Sequence, residues 1–195
     1  MQRDFAYVVI CTILAALLPS PAEGDDAGNG KADELFKFLQ TLQENEPLYT
    51  IKRTYKENLR NDTGTKIQCV KANKMEANNT AAKLCTVVKS DGGTTGPFVA
   101  TYEKTGGDKI RGEPGPHIMT VLYVNAGEKC FFVEMTGKRP SKSNSKACDM
   151  LSTNLEHPGS NCNNQFRSLC GSGSRTISTS DGCSGVRNPT CPPPK

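Results

Sequence analysis

Leu48-Tyr49-Thr50-Ile51-Lys52-Arg53-Thr54-Tyr55 is the stretch that decides the fold class of this chain. Tyr, Thr and Ile suit a pleated, half-buried surface, so residues 48–56 read as a strand. Lys66-Ile67-Gln68-Cys69-Val70 opens a second such segment, 66–72, and 84–89, 97–103, 117–124 and 129–135 share its composition. Turn signals separate them: Asp91-Gly92-Gly93, Gly106-Gly107-Asp108, Glu113-Pro114-Gly115 and Asn125-Ala126-Gly127. Many short strands at near-regular spacing argue for an antiparallel sandwich or barrel.

Helical patterns flank the strands. From Ala32 the residues Leu35, Phe36, Phe38, Leu39 and Leu42 form one apolar face, Asp33 and Glu34 suit a first turn, and Pro47 closes the segment. A second pattern, 161–170, carries Phe166 and Leu169 on one side, and 185–195 is a proline-rich tail. A barrel of about eight strands leaves room inside for one small ligand. Polar inward positions then become tolerable, in keeping with a hydrophobic fraction of only 35%.

The compartment decides how the cysteines are read. Residues 1–22 have the parts of a secretory signal peptide: Arg3, an apolar run from Phe5 to Leu18, and the small residues Ser20 and Ala22 before cleavage. That run is shorter than the roughly 20 residues of a membrane span, and residues 23–31 read as a disordered leader. Nine cysteines less Cys11 leave eight, an even number that in an exported chain implies four disulfides with 105 possible pairings. Zinc is disfavoured, because no C-x2-C pair exists and His117 and His157 stand at no ligand spacing. Asn61-Asp62-Thr63 and Asn78-Asn79-Thr80 are glycosylation sequons in polar, turn-like stretches.

The remaining function classes fall away on composition. A net charge of +4 with scattered lysines lacks the basic stripe of a nucleic-acid binder. No second long apolar run follows the N-terminus, so a helical membrane protein is excluded. G-x-S-x-G is absent, and cysteines that pair are not nucleophiles. Neither an enzyme nor a cofactor is expected.

Several stretches together resemble the tick salivary lipocalins, the histamine-binding-protein-like family. The strands at Leu48–Tyr55 and Lys66–Val70 are similar to its first two, and Cys130 begins a strand as in the family. Cys148-Asp149-Met150-Leu151 resembles its Cys-Glu-Leu-Trp segment, Asn161-Cys162 with Phe166 and Cys170 its C-terminal helix, and Ile177 to Cys183 its closing segment. The resemblance covers residues 32–184. It implies an all-β fold: an eight-stranded antiparallel lipocalin barrel with an N-terminal and a C-terminal helix. It also implies the disulfides Cys69–Cys183, Cys130–Cys162 and Cys148–Cys170, with Cys85 and Cys191 remaining as a pair by arithmetic.

The function that the resemblance implies is a secreted, monomeric salivary protein that sequesters a small host mediator, an amine such as histamine or serotonin or a lipid. The alternative is a protein-binding immunomodulator, aimed at complement or an immune cell, that uses the barrel as a scaffold. An exported protease inhibitor is a weaker third. An amine needs a buried carboxylate, since an unpaired buried ammonium is costly. The family's amine binders carry an Asp after the strand-opening Cys and a Glu and Trp further on; this chain has Phe131, Asp149 and Leu151 there. Glu134, Glu103 beside Tyr102, and the aromatic residues Tyr55 and Tyr123 are candidate substitutes, while Met119, Phe131 and Phe132 suit a lipid. Phe132 and Glu134 share one strand face, and Phe131 and Val133 the other, so only one of these pairs looks inward.

Overall fold

The computed structural model describes residues 30–55, 65–115 and 117–192. The expected signal peptide, the expected leader up to residue 29 and the Asn61 sequon lie outside the described residues. Among the described residues the strand segments form β1 (Leu48–Arg53), β2 (Ile67–Ala77), β3 (Ala81–Ser90), β4 (Gly93–Gly106), β5 (Lys109–Glu113), β6 (His117–Asn125), β7 (Cys130–Met135) and β8 (Cys148–Ser152), with a two-residue β9 (Arg175–Thr176). Neighbours pair in sequence order, all antiparallel, from β2 to β8, which returns to β1. Pairing of Leu48 with Ala72 and Tyr49 with Lys71 closes the barrel at eight strands.

That closure covers only one end of the β1–β2 seam. At the other end β9 lies on β1, with Lys52 opposite Thr176. Ser178 then bridges to β2, its hydroxyl accepting from the Val70 N–H at 2.9 Å. The segment 175–178 seals the barrel wall where β1 and β2 part.

Four strands exceed what composition indicates. β2 runs on to Ala77 and β3 starts at Ala81, beyond the expected 66–72 and 84–89, because Glu76 and Ala77 still pair with Lys83 and Ala82 across the hairpin. β5 holds Lys109, Arg111, Gly112 and Glu113, a poor strand composition, yet β4 and β6 pair with it on both sides. β4 starts at Gly93, earlier than the expected 97, because Gly93 already pairs with Ser90 across the hairpin.

The N-terminal helix α1 (Lys31–Thr41) buries Ala32, Leu35, Phe36, Phe38 and Leu39 against one end of the barrel. It begins at Lys31, within the expected leader, because the β4–β5 turn caps it: the Lys31 N–H donates to Asp108 Oδ1 at 2.6 Å. Gly107, at φ 53°, gives that turn its left-handed bend. Ion pairs Lys104–Asp33 and Lys129–Glu46, each 2.5 Å, tie the helix and the chain after it to the same barrel end. The helix stops at Thr41, well before Pro47, where Leu42 turns to an extended backbone.

The C-terminal helix α2 (Ser160–Cys170) lies outside β6 and β7, followed by the short α3 (Ser180–Cys183). Its first turn is capped from a distance by Glu128, which accepts the N–H of Cys162 at 2.8 Å. All four disulfides have the expected partners: Cys69–Cys183, Cys85–Cys191, Cys130–Cys162 and Cys148–Cys170. The second of these holds the proline-rich tail against β3.

Candidate functional site

Alternation along the strands sends every second side chain into the barrel. Leu84, Ala100, Ile110, Met119, Phe131, Val133 and Leu151 form an apolar wall, and Leu35 and Leu39 of α1 form the floor. They enclose a cavity of about 670 Å³, within the ~300–1,000 Å³ usual for small-molecule sites. The mouth, at the end opposite α1, carries Ser90, Thr95, Glu113 and His117. Gly112 is what lets the wall form here: a Cβ on it would come within 2.7 Å of Met119 Cε and 3.4 Å of the Tyr102 ring. Tyr102 lies directly across from it on β4.

One side of the cavity is polar. Arg53, 1% exposed, and Asp149, 7% exposed, form a two-pronged ion pair, with Nε to Oδ1 at 2.7 Å and Nη2 to Oδ2 at 2.8 Å. The Tyr55 hydroxyl donates to Asp149 Oδ2 at 2.8 Å, and the Arg53 guanidinium lies 4.5 Å from the centre of the Tyr55 ring. Burial disfavours a charged Arg53, but the attraction and hydrogen bonds of Asp149 outweigh it and hold the guanidinium charged more firmly than usual. Tyr102 is pushed up to about 12, first by burial and then by the Asp149 carboxylate, so it stands as a neutral phenol. Thr50, Thr86 and Tyr102 also line the cavity, and their hydroxyls have no hydrogen-bond partner among the described residues.

Of the residues singled out in the sequence, Tyr102, Met119, Phe131, Asp149 and Leu151 line this cavity. Tyr55 does not: it is buried behind Asp149 and supports the ion pair. Three others face away. Glu103 follows the inward Tyr102, so it points out and pairs with Arg111 at 2.6 Å. Glu134 shares the outer face of β7 with Phe132 and pairs with Lys146. Tyr123, past an irregularity in the β6–β7 register, stacks on Phe132 at 5.0 Å beneath α2. Phe132, considered for a lipid site, belongs to that outer cluster too.

Arg53, Thr50, Thr86 and the α1 floor are the part that sequence reasoning missed. Arg53 stood within the opening stretch, but its partner lies 96 residues away. The one group of potential metal ligands among the described residues, Glu128 with Cys130 and Cys162, is a disulfide beside a helix-capping carboxylate.

No family model matches the sequence, and no curated protein matches it. Solved structures do. The siderocalin Ex-FABP, which functions through dual ligand specificities, aligns at TM-score 0.50 and 14% identity, over 69% of this chain and 93% of that one. Japanin from Rhipicephalus appendiculatus, in a crystal form bound to cholesterol, aligns at TM-score 0.47 and 11% identity, over 74% of this chain and 98% of that one. The likeness to Ex-FABP is one of fold: the barrel is an eight-stranded antiparallel lipocalin barrel.

Proposed function

We propose that this protein is a secreted carrier that holds one small, largely apolar molecule inside its barrel, a lipid-class host mediator rather than a biogenic amine. The observation that carries this reading is the state of Asp149. Its carboxylate would be the natural countercharge for an amine, yet both of its oxygens are engaged by Arg53 and Tyr55. An ammonium brought to this wall meets a carboxylate already neutralised by Arg53. At this wall it would be a second buried cation, which costs several kcal/mol, and the other carboxylate of the lining, Glu113, is exposed at the mouth rather than buried beside it.

A lipid meets no such obstacle. The apolar wall and floor favour it by roughly 25 cal/mol for each Å² removed from water. The neutral hydroxyls of Tyr102, Thr50 and Thr86 offer hydrogen bonds to an uncharged polar group on the ligand. Four disulfides support the secreted part of the reading. Action in saliva, to suppress host inflammation, is the finer part carried by the resemblance to tick salivary lipocalins.

Native mass spectrometry of the secreted protein, alone and with a long-chain fatty acid, a sterol, histamine and serotonin, tests the reading. Retention of the fatty acid or the sterol, with no retention of the amines, is expected. Amine binding tighter than lipid binding overturns it. Retention of nothing small overturns it in favour of a barrel that serves as a protein-binding scaffold.

A further inference from the structure

We infer that Asn78 is an N-glycosylation site and that its glycan stands at the closed end of the barrel, remote from the ligand's entrance. The sequon Asn78-Asn79-Thr80 forms the whole connection between β2 and β3, and all three residues are exposed. The Asn78 side chain is fixed by its oxygen alone. Oδ1 accepts from the Thr80 N–H at 2.9 Å, the Thr80 hydroxyl at 3.1 Å and the Ala81 N–H at 2.9 Å. These bonds make an Asx turn. Nδ2 donates to nothing among the described residues. Glycosylation consumes only that nitrogen, and the amide oxygen survives the reaction, so the turn and its three hydrogen bonds persist in the modified protein.

The chemistry is a transfer from a lipid-linked oligosaccharide diphosphate, which a chain entering the secretory route meets. A bond forms between Asn78 Nδ2 and the first sugar carbon. The bond from that carbon to the diphosphate breaks, and one Nδ2 proton leaves with the diphosphate. The inference rests on the secreted reading above but not on any ligand.

The position has a consequence for function. The β2–β3 turn lies on the α1 side, where the Gln40 side chain donates to Asn79 Oδ1 at 3.1 Å. The mouth, with Ser90, Glu113 and His117, is at the opposite end. A glycan on Asn78 therefore shields the α1 end and leaves the entrance open.

The test is translation of the full chain, with Asn61→Gln to isolate this site, in the presence of microsomes. A protease-protected product that gains mass, loses the gain on peptide-N-glycosidase treatment, and fails to gain it with Asn78→Gln or with Thr80→Ala is expected. A protected product that gains no mass overturns the inference while leaving secretion intact. A product that is not protected overturns secretion and this inference together. The site's position is read separately: lipid retention by the secreted protein should be unchanged by Asn78→Gln, and a marked change would overturn the placement away from the mouth.

Discussion

The two faces of β7 and β8 differ as sharply as any two regions of the molecule. The inner face presents Phe131, Val133, Asp149 and Leu151 to open space. The outer face, one residue out of step, presents Cys130, Phe132, Cys148 and Met150, each fully buried against α2 and its disulfides. There Phe132 packs between the Tyr123 ring at 5.0 Å and the edge of Phe166 at 5.2 Å. An ordinary domain concentrates its stability in one central core. Here the outer layer is filled and stapled, and the barrel can keep an interior that its side chains do not fill without losing its fold.

Substitutions on the inner face at the ion pair should have the largest effect. Asp149→Asn leaves the Arg53 charge buried without its partner, and we expect a loss of about 3–5 kcal/mol in denaturant unfolding. Adding Arg53→Met to Asp149→Asn should cost far less than Arg53→Met alone, because the two residues act as one unit. Additive losses would show that the pair is not coupled as drawn.

Phenylalanines on opposite faces test the contrast directly. Phe132→Ala opens a sealed void beneath α2 and should cost about 3–5 kcal/mol. Phe131→Ala enlarges a space that already exists, so apart from its edge contact with Phe38 at 6.0 Å the loss is mainly transfer free energy, about 1.5–3 kcal/mol. Equal losses would mean that the interior is as tightly filled as the outer layer. Removing the Cys148–Cys170 bridge by double Ser substitution should cost about 2–4 kcal/mol by the same unfolding measurement.

Smaller effects should follow at the cavity's polar side and at the α1 end. Tyr102→Phe should leave stability nearly unchanged and weaken binding of a hydroxyl-bearing lipid by about 0.5–1.5 kcal/mol, read by isothermal titration. Equal affinity for both proteins would remove Tyr102 from the site. Asp33 and Glu46 are held below the usual carboxylate range, chiefly by hydrogen bonds from Lys104 and Lys129. Their contribution is complete at neutral pH and is lost as the pH falls through those lowered values. Unfolding curves at stepped acid pH should show a modest decline there, reduced in Lys104→Met; a decline unaffected by that change would remove the Asp33 pair from the account.

The orientation of β7 was more legible than a lone strand allows. Period-two alternation offers two solutions related by a flip, and composition cannot choose between them when Phe131 and Phe132 are adjacent. The implied disulfide chooses. A bridge from Cys130 to a helix outside the barrel places Cys130 outward, and with it Phe132 and Glu134, which leaves Phe131 and Val133 inside. Cys148 settles Asp149 and Leu151 by the same parity. Tyr123 escapes this reasoning, because the register shift in β6 breaks the parity and only the folded sheet shows where it falls.

By itself the sequence determined the strand and helix composition, and through the resemblance it implied the barrel and the cysteine partners. These depend on local propensity, on turn residues and on an order along the chain that one dimension can carry. Tertiary structure alone decided that Arg53 meets Asp149, that Tyr55 stands behind them, and that Leu35 and Leu39 floor the cavity. A charge in a strand has no local signature of its countercharge. Folding brings Asp149, the candidate for a ligand's amine, onto an arginine, because a guanidinium enclosed by the barrel needs a countercharge.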